Sequence, residues 1–193
     1  MQDHDAITLL RSGDIGGLDA LVRQYQYQAV RAATLIIRDR AAAEDVVQSA
    51  FLRLVGSIQG FDTRRPFAPW FLRIVVNDAI KEAQRRSRYA SLDHPDDAAA
   101  LAGTLLAAAD GEPERVSEQG ETREAVVRAL NHLTPLQRAA IVQRYYLGMN
   151  EAEMASAGAT SPGAIKLRLF AARERLRTLL HSLTNESAHS KSK

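Results

Sequence analysis

Apolar residues recur at helical spacing along most of the chain, in segments separated by short polar turns. One stripe, from Leu18 to Ile36, predicts a long helix over about 18–38. The same periodicity predicts further helices over about 5–10, 41–57, 66–88, 121–133, 135–147, a short helix after Asn150, and one starting at Pro162. The pattern predicts an all-α fold. The same spacing predicts that Tyr145 lies with Ile141 and Val142 on an apolar side of the helix over 135–147.

Polar residues mark the starts of the last three helices. Thr134, Asn150 and Ser161 can each cap a helix through a side-chain oxygen. Pro135 and Pro162 suit the first helical position, where no backbone N–H is needed. A short helix, a turn over 158–161 and a second helix predict a helix-turn-helix.

The helix that begins at Pro162 combines an apolar stripe with a basic surface. The stripe predicted to be buried comprises Ile165, Leu169, Ala172, Leu176 and Leu179. The basic residues off that stripe are Lys166, Arg168, Arg173, Arg175 and Arg177. A helix with one buried and one cationic side suits the major groove of DNA. The alternative is a solvated basic face on a core helix.

Composition narrows the classes of protein that the chain can belong to. The chain has 193 residues, 46% of them hydrophobic, which is enough for one or two cored domains. It has no cysteine, and its five histidines lack metal-ligand spacing, so we expect no metal site and no cofactor. No signal pattern or membrane-length apolar run is present, so we expect a soluble cytoplasmic protein.

The net charge of +2 conceals a strong division along the chain. Residues 64–88 carry seven basic and two acidic side chains, residues 91–124 carry nine acidic and two basic ones, and residues 161–180 carry five basic and one acidic. This order predicts two anion-binding modules joined by an acidic connector. We therefore predict domains at 1–90 and 121–182, a flexible acidic linker at 91–120 and a disordered tail at 183–193.

Several ordered motifs resemble the extracytoplasmic function (ECF) subgroup of bacterial sigma factors. Segment 43–54 is similar to the family's polymerase-binding helix. Phe67, the run 70–77 and Arg85-Arg86 look like its promoter-melting helix. Segments 133–138, 145–148 and 165–173 look like its C-terminal helix-turn-helix.

This resemblance implies a transcription initiation factor without catalysis of its own. Its implied partners are promoter DNA, RNA polymerase core (the largest-subunit clamp and the flap of the second-largest subunit) and an anti-sigma factor. The implied polymerase-binding residues are Asp45, Gln48, Ser49 and Leu52. The residues implied to bind and melt the proximal promoter element are Arg64, Arg65, Trp70, Arg73, Asn77, Lys81, Arg85 and Arg86. Those implied to read the distal element are Ser161, Gly163, Lys166, Leu167, Arg168, Phe170 and Arg173.

Some roles have alternatives. Trp70 is either a stacking platform for a base or a core residue. The linker either mimics nucleic acid in the polymerase channel or is a plain spacer. The loop 57–65 is a candidate pocket for a flipped base. For the whole chain, the alternatives are a DNA-binding regulator that recruits no polymerase, and a helical enzyme. The regulator alternative leaves the N-terminal module unexplained, and the sequence shows no catalytic constellation.

The chain also departs from the family's usual residues. Ser49 stands where the family commonly has an acidic residue, and Lys81 where it often has Asp. Ala164 and Leu167 replace the usual Thr and Ser of the recognition helix. Ser49 lies in the implied polymerase-binding surface and Lys81 in the implied melting surface. Because Ala164 and Leu167 lie in the implied recognition helix, the promoter sequence cannot be transferred from relatives.

Overall fold

The computed structural model of the chain describes residues 2–90 and 118–190, with side chains for 2–89 and 125–181. All regular structure in these ranges is helical. The chain divides into two compact units, Met1–Ala83 and Gln84–Lys193. The predicted all-α class with two helical domains is confirmed.

The N-terminal unit is built from four helices. They are α1 (Asp3–Arg11), α2 (Gly16–Ile37), α3 (Arg40–Ser57) and α4 (Phe67–Ala90), with a 3-10 turn at Ile58–Gly60. Each helix begins and ends within two residues of its predicted bounds. The boundary between the units falls inside α4, after Ala83.

Helix α1 packs closely on α2 because Gly17 has no side chain. A Cβ at Gly17 would lie 2.2 Å from the carbonyl oxygen of Ala6. Ala6 and Leu10 of α1 and Leu21 of α2 are buried along this contact. Any larger residue at position 17 would therefore force the two helices apart.

Two adjacent residues make the connection from α2 to α3. Arg38 ends α2 in the left-handed region, with φ of 70°. Asp39 then caps α3, because its Oδ1 accepts a hydrogen bond from the backbone N–H of Ala42 at 2.9 Å. The two helices thus form a tight antiparallel pair whose contact face is apolar.

An aromatic cluster fixes α4 against α2 and α3. Phe71 stacks on Phe67, with centroids 5.8 Å apart, and meets Phe51 of α3 at 4.5 Å. Tyr25 of α2 lies 5.3 Å from Phe67. Truncating a fully buried phenylalanine typically costs about 3–5 kcal/mol. The cluster therefore holds one side of α4 inward and leaves the opposite side to solvent.

The second unit contains the predicted helix-turn-helix. Its helices are α5 (Glu118–Asn131), α6 (Pro135–Ile141), α7 (Glu151–Ala157) and α8 (Pro162–Ser190), with a π-helical segment at Val142–Tyr146. Ile165, Leu169 and Ala172 of the predicted stripe are buried, and Leu176 and Leu179 are half-buried.

All three predicted N-caps are confirmed. Thr134 and Asn150 each form a capping box with the residue three positions later. The Oγ of Ser161 accepts a hydrogen bond from the backbone N–H of Ala164 at 3.2 Å. These caps fix where the turn ends and where α8 begins.

The structure differs from the sequence analysis at the C-terminal end. A disordered tail was predicted from residue 183, whereas α8 continues to Ser190. Residues 184–190 contain no glycine or proline, so nothing in this segment interrupts the helical hydrogen bonds. The predicted linker lies largely outside the described residues, as it covers 91–120. None of the described helices is long and apolar enough to cross a bilayer.

Candidate functional site

The predicted polymerase-binding residues form one exposed face of α3. Asp45, Gln48, Ser49 and Leu52 are spaced by three and four residues, so they lie on the same side of the helix. All four are exposed, and Leu52 exposes 67% of its surface. Leu52 is thus the apolar member of an otherwise polar exposed row.

A shallow groove runs beside this face, between α2 and α3. Its volume is about 330 Å³, and its lining includes Leu18, Val22, Gln48, Phe51 and Leu52. Apolar side chains form its floor, while Gln48 and Leu52 stand at its edge. The groove and the exposed face together make a continuous surface with apolar and polar parts.

The loop before α4 carries Arg64 and Arg65, and one carboxylate faces both. Asp62 accepts hydrogen bonds from Arg64 at 2.9 and 3.0 Å, and it lies 3.8 Å from Arg65. The Arg64 hydrogen bonds hold the pKa of Asp62 below its ordinary value. The pKa of Arg64 is raised by the same carboxylate. Both cations therefore lie in a partly neutralised loop.

A residue that sequence reasoning missed, Arg11, holds this loop from α1. Its Nε donates to the carbonyl oxygen of Ile58 at 3.1 Å, and its terminal nitrogen donates to the carbonyl oxygens of Gln59 (3.4 Å) and Phe61. Gln59 returns a hydrogen bond to the carbonyl oxygen of Arg11 at 2.9 Å. A lone arginine in a helix's last turn gives no sequence signal for such contacts.

An open cavity of about 500 Å³ adjoins the loop that Arg11 holds in place. Asp3 and His4 of α1 and Gln24 of α2 line one side, and loop residues including Phe61 and Arg65 line the other. Polar and aromatic groups thus face each other across a space large enough for a planar heterocycle.

One side of α4 carries four of the eight predicted melting residues. Trp70, Asn77 and Lys81 lie within about 40° of one another around the helix axis, and Arg73 lies beside them. Trp70 is half-buried, with its ring 4.7 Å from that of Phe61. It therefore belongs to the edge of the aromatic cluster and keeps part of the indole accessible.

The basic residues along α4 have different surroundings. Lys81 lies 3.6 Å from Asp78, which also accepts a hydrogen bond from Arg53 of α3. Arg85 lies over the ring of Tyr89, at 5.9 Å from its centroid. Arg86 is nine residues after Asn77, so it lies about 180° away around the helix. The structure therefore does not bring Arg86 onto the face of Asn77.

The exposed face of α8 brings together most of the predicted distal-element residues. Gly163, Lys166, Leu167 and Phe170 are exposed on its side away from the core. Leu167 exposes 73% of its surface and Phe170 64%. Apolar side chains at such positions are suited to contacts with thymine methyl groups. Ser161 acts here as the cap of the helix.

Two predicted residues of α8 have environments that the sequence did not indicate. Lys166 lies 3.6 Å from Glu151, at the start of α7. Arg168 is half-buried and lies about 160° around the helix from both Lys166 and Phe170. The structure therefore does not bring Arg168 together with these two residues.

The prediction that Tyr145 lies on an apolar side is wrong, because 63% of its surface is exposed. The segment Val142–Tyr146 is π-helical, and Leu147 donates to the carbonyl oxygen of Val142 at 3.0 Å. The wider turn changes the rotation per residue and directs Tyr145 outward. Arg173 of α8 donates from Nε to the Tyr145 hydroxyl at 2.8 Å.

Metal chemistry has no candidate site in the described part of the chain. No group of three or more histidine, aspartate or glutamate side chains there could hold an ion.

Comparison with known families matches both units in order. The Sigma-70 region 2 family matches residues 21–89. The Sigma-70, region 4 family matches residues 123–176. The first match covers α3 and α4, and the second covers the helix-turn-helix.

Curated relatives extend the match over most of the chain. The chain is 31% identical over 169 residues to the ECF RNA polymerase sigma factor SigM of Mycobacterium tuberculosis, covering 88% of this chain and 80% of SigM. It is 31% identical over 156 residues to the RNA polymerase sigma factor CarQ of Myxococcus xanthus, covering 79% and 83%. The RNA polymerase sigma-H factor of Pseudomonas aeruginosa is 26% identical over 188 residues, covering 96% and 97%.

These matches define a protein that initiates transcription at specific promoters, in a family of non-enzymatic initiation factors. The chain belongs to the ECF sigma factors. The resemblance found in the sequence is thereby confirmed.

Solved structures agree with the fold. The structure of CnrH in complex with the cytosolic domain of CnrY matches with a TM-score of 0.65 at 23% identity, covering 93% of this chain and 97% of that one. The sigma factor RpoE in complex with the anti-sigma factor NepR from Bartonella quintana matches with a TM-score of 0.58 at 19% identity, covering 84% and 97%.

Proposed function

We propose that this sigma factor binds RNA polymerase core through α3, opens the proximal promoter element with α4 and its preceding loop, and reads the distal element with α8. The polymerase contacts are the largest-subunit clamp for the N-terminal unit and the flap of the second-largest subunit for the second unit. Because its partner is the polymerase, we place the protein in the cytoplasm.

The exposure of Leu52 supports polymerase binding through α3. Along this row, the polar side chains of Asp45 and Gln48 are followed by the apolar Leu52. Burying a leucine of this exposure against a partner is favourable by about 1.5–3 kcal/mol. Ser49 lies in the same row, where an acidic residue would add charge, so the clamp contact here relies more on packing.

The side of α4 that carries Asn77 supports promoter opening. Taking a base out of the stack costs a few kcal/mol, which the protein must offset by binding the freed base. The half-buried Asn77 amide can donate and accept hydrogen bonds from a base edge. The cavity between α1, α2 and the loop offers a second position for a displaced base. Lys81, Arg73 and Arg85 supply positive charge for the phosphates along the same helix.

The exposed face of α8 supports distal-element recognition. Its first turns carry Lys166, Leu167 and Phe170, and the N-terminal part of a recognition helix is the part that meets base edges. Lys166 supplies a cation for guanine or phosphate oxygens, and the two apolar side chains suit thymine methyl groups. Arg168 contributes from the flank of the helix.

An anti-sigma factor is the expected regulator. The two solved relatives above are each in complex with a second protein, and one of these is named an anti-sigma factor. The exposed apolar residues Leu52, Leu167 and Phe170 are the positions in this chain that such a partner would cover. The domain division at residues 90 and 121 belongs to the same proposal.

The observation that carries the proposal is the ordered match to regions 2 and 4, each falling on a unit with its own exposed contact face. Separation-of-function variants test it. Leu52→Asp should abolish binding to polymerase core, measured by native gel shift or fluorescence anisotropy. Lys166→Ala should leave core binding intact and weaken holoenzyme binding to distal-element DNA.

Tyr27→Asp is the matched control for Leu52→Asp, because Tyr27 is also exposed in the N-terminal unit but lies on α2 away from the α3 face. It should bind core as the wild type does. Equal core binding by the Leu52 and Tyr27 variants would contradict the assignment of α3. Loss of core binding by Lys166→Ala would contradict the assignment of α8.

A further inference from the structure

A tyrosine–arginine pair joins the π-helical segment to α8 at the edge of its exposed face. The Nε of Arg173 donates to the Tyr145 hydroxyl oxygen at 2.8 Å, and the Arg173 Cζ lies 5.7 Å from the ring centroid. The two residues are 28 positions apart, so the fold brings them together. Both side chains are exposed. The pair therefore forms part of the surface that the second unit offers to a ligand.

The hydrogen-bond direction determines what this pair can bind. The Tyr145 oxygen accepts from Arg173, so the hydroxyl proton is left to donate outward. The guanidinium keeps its four terminal N–H donors and its charge. Several outward donors beside one positive charge suit a phosphate oxygen, which only accepts hydrogen bonds.

The position along α8 also favours the DNA backbone over a base. Arg173 lies seven residues after Lys166, or about 10 Å further along the helix axis. In a helix-turn-helix, the first residues of the recognition helix meet the base edges. Arg173 lies on the same edge of the helix as Lys166, and its Nε is already held by Tyr145. Its terminal nitrogens therefore have a restricted reach.

We propose that Tyr145 and Arg173 together bind one phosphate of the DNA backbone beside the distal element. Tyr145 donates one hydrogen bond to the phosphate and orients Arg173 for the rest. This assignment rests on the proposed role of α8 in DNA recognition, and it adds a contact residue from outside that helix. It makes Arg173 a sequence-independent contact, while Lys166, Leu167 and Phe170 carry the sequence preference.

Salt dependence of DNA binding tests the proposal. The probe is a fluorescent duplex with the distal element, bound by holoenzyme made from the full chain, at several salt concentrations and with single base-pair variants. Losing one phosphate contact lowers the slope of log affinity against log salt by about 0.9. Arg173→Ala should show this decrease and weaken all sequences equally. Tyr145→Phe should weaken all sequences by about three- to tenfold at unchanged slope, because it keeps the charge and the ring.

The double variant separates shared from independent action. If the pair acts as a unit, Tyr145→Phe should have a much smaller effect in the Arg173→Ala background than in the wild type. Tyr27→Phe is the matched control, because its hydroxyl accepts from Arg31 at 3.0 Å on α2, outside the proposed DNA surface. It should bind DNA as the wild type does.

Three results would overturn the proposal. One is an unchanged affinity for Tyr145→Phe. Another is an unchanged salt slope for Arg173→Ala together with altered preference at one base pair, which would make Arg173 a base-reading residue. The third is full additivity of the two changes. Lys166→Ala in the same assay distinguishes failure of this phosphate contact from failure of the proposed DNA-reading role of α8. If Lys166→Ala does not weaken binding, the proposed role of α8 is contradicted.

Discussion

Replacing Arg11 with methionine tests how the loop before α4 is held in position. The change keeps a long apolar side chain but removes the guanidinium donors. Those donors contact the carbonyl oxygens of Ile58, Gln59 and Phe61. A hydrogen bond from a charged donor contributes about 1.5–3 kcal/mol net. The 3.4 Å contact is weak, and solvent can replace part of the rest because Arg11 is only half-buried.

We therefore expect the loop to lose about 2 kcal/mol of local stabilisation. If the loop must be ordered to receive a displaced base, the open promoter complex should decrease about 30-fold relative to the closed complex. Distal-element binding and core binding should not change, because they use other surfaces. The whole unit should stay folded, since the aromatic cluster does not involve Arg11.

The chain provides its own reporter for this experiment. Trp70 is the only tryptophan of the chain. The Trp70 ring lies 4.7 Å from that of Phe61, whose carbonyl oxygen Arg11 contacts. Arg11→Met should therefore increase acrylamide quenching of tryptophan fluorescence, and permanganate reactivity of promoter thymines should decrease. Arg23→Met is the matched control, because Arg23 is an exposed arginine of α2 that pairs only with Asp19 among the described contacts. Wild-type quenching and wild-type permanganate reactivity in Arg11→Met would show that Arg11 does not hold the loop in position.

Three further predictions concern single side chains. Glu151→Gln should strengthen holoenzyme binding to distal-element DNA about two- to fivefold at low salt, because it removes a carboxylate 3.6 Å from Lys166; unchanged affinity in a titration would contradict this. Asn77→Ala should reduce promoter opening more than closed-complex binding, and permanganate footprints equal to those of the wild type would count against it. Tyr25→Phe should lower the free energy of unfolding by about 1–3 kcal/mol in urea denaturation, since Asp3 loses the hydroxyl that donates to it at 2.6 Å. Burial and Asp3 raise the pKa of Tyr25. The stabilisation that the Tyr25 hydroxyl provides is therefore full below about pH 10 and is lost as the pH rises further. A stability difference between wild type and variant that persists at higher pH would contradict this.

The local features of the fold were predictable because short stretches of sequence determine them. Thr134, Asn150 and Ser161 cap helices through their own side chains, so their identity and the residues that follow are enough. The buried residues Ile165, Leu169 and Ala172 follow from helical spacing alone. The exposed face of α3 follows in the same way.

Features that depend on distant residues or unusual turns were not predictable. Tyr145 is exposed because a π-helical turn interrupts the 3.6-residue period, which no single residue announces. Arg11 meets the loop 47 residues later only after the helices have packed. Glu151 and Lys166 approach each other only through the geometry of the helix-turn-helix. The charge pattern identified Arg64 and Arg65 as basic residues, but it did not indicate that both form ion pairs with Asp62.

Run-off transcription with purified RNA polymerase core tests whether this chain directs the polymerase to specific promoters. The core is combined with and without this chain on a library of genomic DNA fragments. We expect new discrete start sites that depend on the chain and share two spaced upstream motifs. Lys166→Ala should weaken use of the distal motif. Tight binding of the chain to core and DNA with no new start sites would contradict the account.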